Sequence, residues 1–82
     1  MMTVRLRLFA IAAQLADADL IELELDDGAC VGDLRRELAQ VCPGLRPLIP
    51  QFMFAVNSQY ATDKTLLPPA AEIACIPPVS GG

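Results

Sequence analysis

Polar and apolar residues alternate almost from the start of the chain. Val4, Leu6 and Leu8 are separated by Arg5 and Arg7, the period of two expected of a strand with one buried and one wetted face. Ala10 to Ala16 (AIAAQLA) then collects helix formers without Gly or Pro, which predicts a short helix before the acidic Asp17-Ala18-Asp19. Leu23 and Leu25 alternate with Glu22 and Glu24, giving a second strand over Leu20–Leu25 that stops at Asp26-Asp27-Gly28. The two strands are expected to pair like a hairpin with the short helix inserted. From Val31 the period changes: Val31, Leu34, Leu38 and Val41 recur at helical spacing, with Asp33, Arg35, Arg36, Glu37 and Gln40 mostly on the other side. Asp33 falls in the first turn, where a carboxylate complements the positive end of a helix, and Pro43-Gly44 ends the run.

The second half is more broken. Leu45 to Gln51 holds Pro47 and Pro50 and reads as an irregular connector. Phe52–Val56 is a short apolar strand, Asn57-Ser58 a turn, and Gln59-Tyr60-Ala61 a shorter strand. Pro68-Pro69 interrupts the chain before Glu72–Ile76, a final strand. The order β-α-β-α-β-β-β, without repeat or linker, predicts an α+β fold: a mixed sheet of about five strands packed on one main helix, with a second, short helix.

Composition narrows the possible functions. Eighty-two residues leave room for one core, and 54% hydrophobic against 20% charged residues, at a mean hydropathy of +0.43, specify a folded domain. Three Phe, one Tyr and no Trp make that core aliphatic, and a chain of this size is expected to gain stability from a partner. A net charge of −4 opposes nucleic-acid binding and suits a basic protein surface. Cys30, Cys42 and Cys75 are too far apart for a CxxC pair, so they read as reduced, buried thiols, and no metal site is expected. No apolar run approaches a membrane span and the first residues alternate as a strand does, so the expected location is the cytoplasm, away from membranes. With no His in the chain, neither Ser58 nor Ser80 can belong to an ordinary hydrolase triad, and there is no phosphate-cradling glycine loop. Any part in catalysis must use something other than a side-chain constellation.

The C-terminal residues offer that alternative. Ile76 is followed by Pro77-Pro78-Val79-Ser80-Gly81-Gly82, which divides the chain into a domain over residues 1–76 and a flexible tail over residues 77–82. The two prolines favour an extended entry, and two glycines without Cβ suit a narrow tunnel. At about 3.3 to 3.6 Å per extended residue the tail could carry its carboxylate roughly 20 Å from the domain.

This ending resembles that of the small, MoaD-like subunits of molybdopterin synthase, a branch of the ubiquitin-like sulfur carriers. The resemblance extends to the opening strand with Phe9-Ala10, the Asp27-Gly28 turn, the Val31–Val41 helix and Ala55-Val56-Asn57. It implies a β-grasp fold and a subunit that is non-catalytic on its own. An ionised α-carboxylate is a poor electrophile. In that family an ATP-dependent adenylating enzyme therefore joins AMP to the terminal glycine, and a sulfur donor protein converts the acyl adenylate to a thiocarboxylate. The large subunit takes in the tail, and sulfur passes to cyclic pyranopterin monophosphate to build molybdopterin.

Carried onto this chain, the resemblance makes Gly82 the reacting terminus with Gly81 beside it, and Ile76, Pro77, Pro78, Val79, Ser80 and Phe9 the partner-binding residues. It implies no permanently bound cofactor, only transient AMP and sulfur, and a hetero-oligomer of two small and two large subunits. Ala13-Gln14, Cys30 and Pro69-Ala70-Ala71 depart from the usual family pattern, away from the reacting end. A carrier for thiamin or cysteine synthesis, a ubiquitin-like modifier whose Gly82 is joined to lysines, and an inert interaction module are the rival readings. Phe9 and Leu67 are open to either a core or an interface role. Arg5, Arg7, Arg35 and Arg36 read as solvated faces, and Cys75 as a small buried hydrophobe.

Overall fold

A computed structural model describes residues 1–78 of the 82-residue chain. Its elements follow the order β1 (Met2–Leu8), α1 (Ala10–Ala16), β2 (Leu20–Leu25), α2 (Val31–Val41), β3 (Met53–Val56), β4 (Gln59–Ala61) and β5 (Glu72–Ile76). The connector between α2 and β3 is less irregular than its prolines suggest. It winds into two 3-10 turns, Pro43–Leu45 and Ile49–Gln51, with a proline in the first positions of each, where a missing N–H costs nothing.

The strands form one mixed sheet in the order β2-β1-β5-β3-β4. β1 pairs antiparallel with β2 and parallel with β5, and β5 pairs antiparallel with β3. The last strand therefore lies at the centre of the sheet. This arrangement, with α2 against one face, is the α+β architecture expected from the pattern, and it is the ubiquitin-like β-grasp.

Alternation sets what each face carries. Val4, Leu6 and Leu8 of β1, Leu23 and Leu25 of β2, Phe54 and Val56 of β3, and Ile73 and Cys75 of β5 are buried. They meet Val31, Leu34 and Leu38 of α2 in a single core that also takes Leu45, Ile49, Phe52 and Leu67. Leu67 is thus a core residue. Of the three thiols only Cys75 is fully buried; Cys30 and Cys42, at the two ends of α2, are half-buried.

Helix α2 begins with its N–H groups satisfied. Asp33 accepts from the Cys30 backbone N–H at 2.9 Å, closing a capping box, while Val31 and Gly32 donate to the carbonyls of Thr65 and Asp63 at 3.0 and 2.9 Å. The hydrogen bonds from the Cys30 backbone N–H and from its thiol, with the Arg36 side chain, hold the Asp33 carboxyl below its usual range. Gly28, at φ +84°, makes the turn into this segment, where a Cβ would be strained.

Arg35 differs from the expected solvated side chain. Its Nη1 donates to the carbonyls of Ile49 and Phe52 at 2.6 and 2.9 Å, its Nη2 pairs with Asp63 at 2.7 Å, and its guanidinium lies 5.0 Å from the Phe54 ring centroid. One side chain thus fastens the connector and the 62–65 loop to the helix. Arg36, paired with Asp33, stays exposed as expected.

Candidate functional site: the strand end that releases the tail

The central position of β5 decides where Ile76, Pro77 and Pro78 lie. Leu8 is in register with Cys75 and Met53 with Ile76, so Phe9, Ile76 and Met53 gather where β1 and β5 end and β3 begins. Phe9 is 45% exposed and Met53 53% exposed; Ile76 is half-buried, Pro77 buried and Pro78 exposed. Of the expected partner-binding residues, the fold brings Ile76, Pro77, Pro78 and Phe9 to one end of the sheet. Val79, Ser80, Gly81 and Gly82 lie outside the described residues.

The turn that places Phe9 is sharp. Phe9 caps α1 in extended conformation without a side-chain hydrogen bond, and Ala10 follows at φ +51°, unfavourable for a residue with a Cβ. The opposite end of β5 is held by Asn57, whose N–H donates to the Glu72 carbonyl at 2.9 Å while its Oδ1 accepts from the Glu72 N–H at 3.1 Å. Asn57 and Ser58 both have positive φ, as a tight two-residue hairpin requires. The strand is therefore anchored at its start, and its end brings Pro77 into a buried position and Pro78 to the surface.

Among the described residues at this end of the sheet, the exposed and half-buried side chains of Phe9, Met53 and Ile76 are apolar. Cys75, next to Ile76, points into the core, and burial pushes its thiol up to about 12, so it stays protonated and unreactive. Burial likewise raises the Cys42 thiol. Among the described residues no group of three or more His, Cys, Asp or Glu is placed to hold a metal ion, and no helix is long and apolar enough to cross a membrane.

Sequence reasoning missed Met53. It sits in an unbroken apolar run, Phe52–Val56, where only the pairing with Ile76 tells outward from inward positions. Leu20 and Tyr60 were missed for a related reason: each is an apolar residue in a strand, and exposure at 36% and 70% marks them as surface.

Residues 6–82 match the model of the ThiS family. The chain belongs to the ThiS family. Across 83 aligned residues it is 34% identical to the molybdopterin synthase sulfur carrier subunit of Chlamydomonas reinhardtii, covering 99% of this chain and all of that one. Among solved structures, small archaeal modifier protein 1 from Methanosarcina acetivorans superposes with a TM-score of 0.84 at 26% identity, covering 100% of this chain and 98% of that one. A chain from the protein–protein complex of subunits 1 and 2 of the molybdopterin-converting factor of Helicobacter pylori has the same fold, with a TM-score of 0.69 at 24% identity over 99% of this chain and 100% of that one.

Proposed function

We propose that this ThiS-family chain is the sulfur-carrier subunit of a molybdopterin synthase, working in the cytoplasm through a thiocarboxylate on Gly82. The observation that carries the reading is the end-to-end likeness to the Chlamydomonas reinhardtii sulfur carrier subunit. The central strand β5, which brings the chain to an apolar exit at Ile76, Met53 and Phe9, suits a tail that must enter another protein.

In this reading an adenylating enzyme uses ATP to place AMP on the Gly82 carboxylate, and a sulfur donor protein replaces AMP with sulfur. The resulting thiocarboxylate is a soft anionic nucleophile and passes its sulfur to cyclic pyranopterin monophosphate. The large subunit binds that substrate and receives the tail, in an assembly of two small and two large subunits. The carrier binds no lasting cofactor: the groups that handle ATP and pterin belong to its partners.

A second reading, a protein modifier, is favoured by the likeness to small archaeal modifier protein 1. One experiment separates the two. The chain is incubated with ATP, its adenylating enzyme and a sulfur source, and its intact mass is read with and without a cell extract. Replacement of one oxygen by sulfur at Gly82, dependent on ATP, is the expected result. Conjugates that survive denaturation and vanish when Gly82 is deleted would establish the modifier. An unchanged mass with an adenylating enzyme active on another carrier would overturn both.

A further inference from the structure

The sheet face turned away from α2 has its own organisation. Register places Leu20, Arg7, Ala74, Ala55 and Tyr60 in one row across all five strands, from β2 through β1, β5 and β3 to β4. Small side chains at the centre of this row, Ala74 and Ala55, leave a depression of about 150 Å³, with Arg5, Arg7 and Leu20 on one side and Asn57 and Ser58 on the other. The depression opens towards the Asn57 end of β5 and also has Glu72 in its lining, while on the same face the next positions along β5 and β3 beyond Ala74 and Ala55 are Ile76 and Met53.

The two arginines on this face have different neighbours. Arg5 stands in register with Glu22 on β2 and Glu72 on β5, a carboxylate on each side. Arg7 stands between Leu20 and Ala74, with no carboxylate in register. The ion pairs among the described residues are Met1–Asp27, Arg35–Asp63 and Arg36–Asp33, so neither arginine is within ion-pair distance of a carboxylate and the difference between them is the carboxylates that flank Arg5 in register. Exposed to water, such a guanidinium is harmless. Covered by a partner, it becomes an uncompensated buried charge, which is strongly unfavourable unless an acceptor arrives with the covering surface.

We propose that Arg7 selects the partner: the outer sheet face docks a protein surface that seats an apolar side chain in the Ala55–Ala74 depression and sets a carboxylate over Arg7. This deepens the sulfur-carrier reading and rests on it, with the large subunit as the occupant. It also revises the expectation from net charge. A chain of charge −4 suits a basic partner overall, yet at Arg7, which has no carboxylate in register, the complementary group is acidic. The planar guanidinium favours two parallel hydrogen bonds to a carboxylate, which a lysine cannot reproduce.

The test uses the full chain and the purified large subunit from the same organism, with affinity measured at low and high salt. The wild type is expected to bind, with association slowed by salt. Arg7→Gln weakens binding by about tenfold and Arg7→Glu by about a hundredfold, whereas Arg5→Gln stays within about twofold. Reversing the charge of the facing acidic residue on the large subunit restores binding to Arg7→Glu. Thermal melting checks that each variant is folded. Wild-type binding with Arg7→Glu unaffected would overturn the role of Arg7 and leave the sulfur-carrier reading intact. No wild-type binding would overturn both. Self-association abolished by Arg7→Glu, without large-subunit binding, would assign the face to a second copy instead.

Discussion

The two faces of the sheet are built from the same strands and behave in opposite ways. Towards α2, the buried residues of the alternation are all apolar, Phe54 and Cys75 are fully buried, and no buried side-chain polar atom among the described residues lacks a partner. Away from α2, charged residues and exposed apolar ones share a surface: Arg5, Arg7, Glu22 and Glu72 beside Leu20, Tyr60 and Met53. The inner face is finished by the domain itself. The outer face still exposes apolar area and an arginine without a carboxylate in register, the two features that the proposed docking uses.

Two phenylalanines give the strongest test of this contrast. Phe54→Ala opens a cavity in the core and should lower stability by about 3 to 5 kcal/mol, read as a shifted denaturant midpoint. That is a large part of what a domain of this size has. Phe9→Ala, at the tail exit, should cost less than about 1 kcal/mol and instead weaken binding of the large subunit. Equal losses of stability at both positions would mean that Phe9 belongs to the core.

A smaller effect is expected where the inner layer relies on a polar group. Arg35→Met retains a long side chain over Phe54 but leaves the Phe52 carbonyl without the guanidinium donor and the Ile49 carbonyl with the Phe52 N–H alone. A loss of about 2 kcal/mol is expected, most of it from those two carbonyls. The partly exposed pair with Asp63 contributes little. Increased hydrogen exchange confined to the connector before β3 would locate the damage.

The smallest effect concerns Asp33. Its carboxyl is held below the usual 3.8 in the folded protein. Ionisation therefore favours folding above that value, and the contribution is lost as pH falls through the lower folded value. Asp33→Asn keeps an oxygen acceptor for Cys30 and removes the charge. Its melting temperature should fall slightly below that of the wild type at neutral pH, and the difference should close as pH drops below about 4. A difference that persists unchanged at low pH would show that geometry, not charge, is what Asp33 supplies.

Much of this architecture is legible in the sequence. The bounds of α1, β2, α2 and β5 follow from period and from breakers, because alternation and the Val31–Val41 stripe are local consequences of which side faces the core. The Gly-Gly ending and its sulfur-carrier resemblance are also visible there, since a short motif needs no tertiary context. The 3-10 turns after Pro43 were not, because proline marks a break without saying which turn replaces the helix. Arg35 read as solvated because its helical position is polar; only the folding of the connector over it supplies the two carbonyls.

What the sequence determined by itself is therefore the list of strands and main helices, the inward stripe of those that alternate, and an ending that resembles the sulfur carriers. The tertiary structure alone decided that the last strand enters between β1 and β3. Pairing between segments about 65 residues apart depends on the packing of the whole sheet, not on local preference. That one choice brings Phe9, Met53 and Ile76 together at the exit, and it puts carboxylates beside Arg5 while leaving Arg7 without one in register.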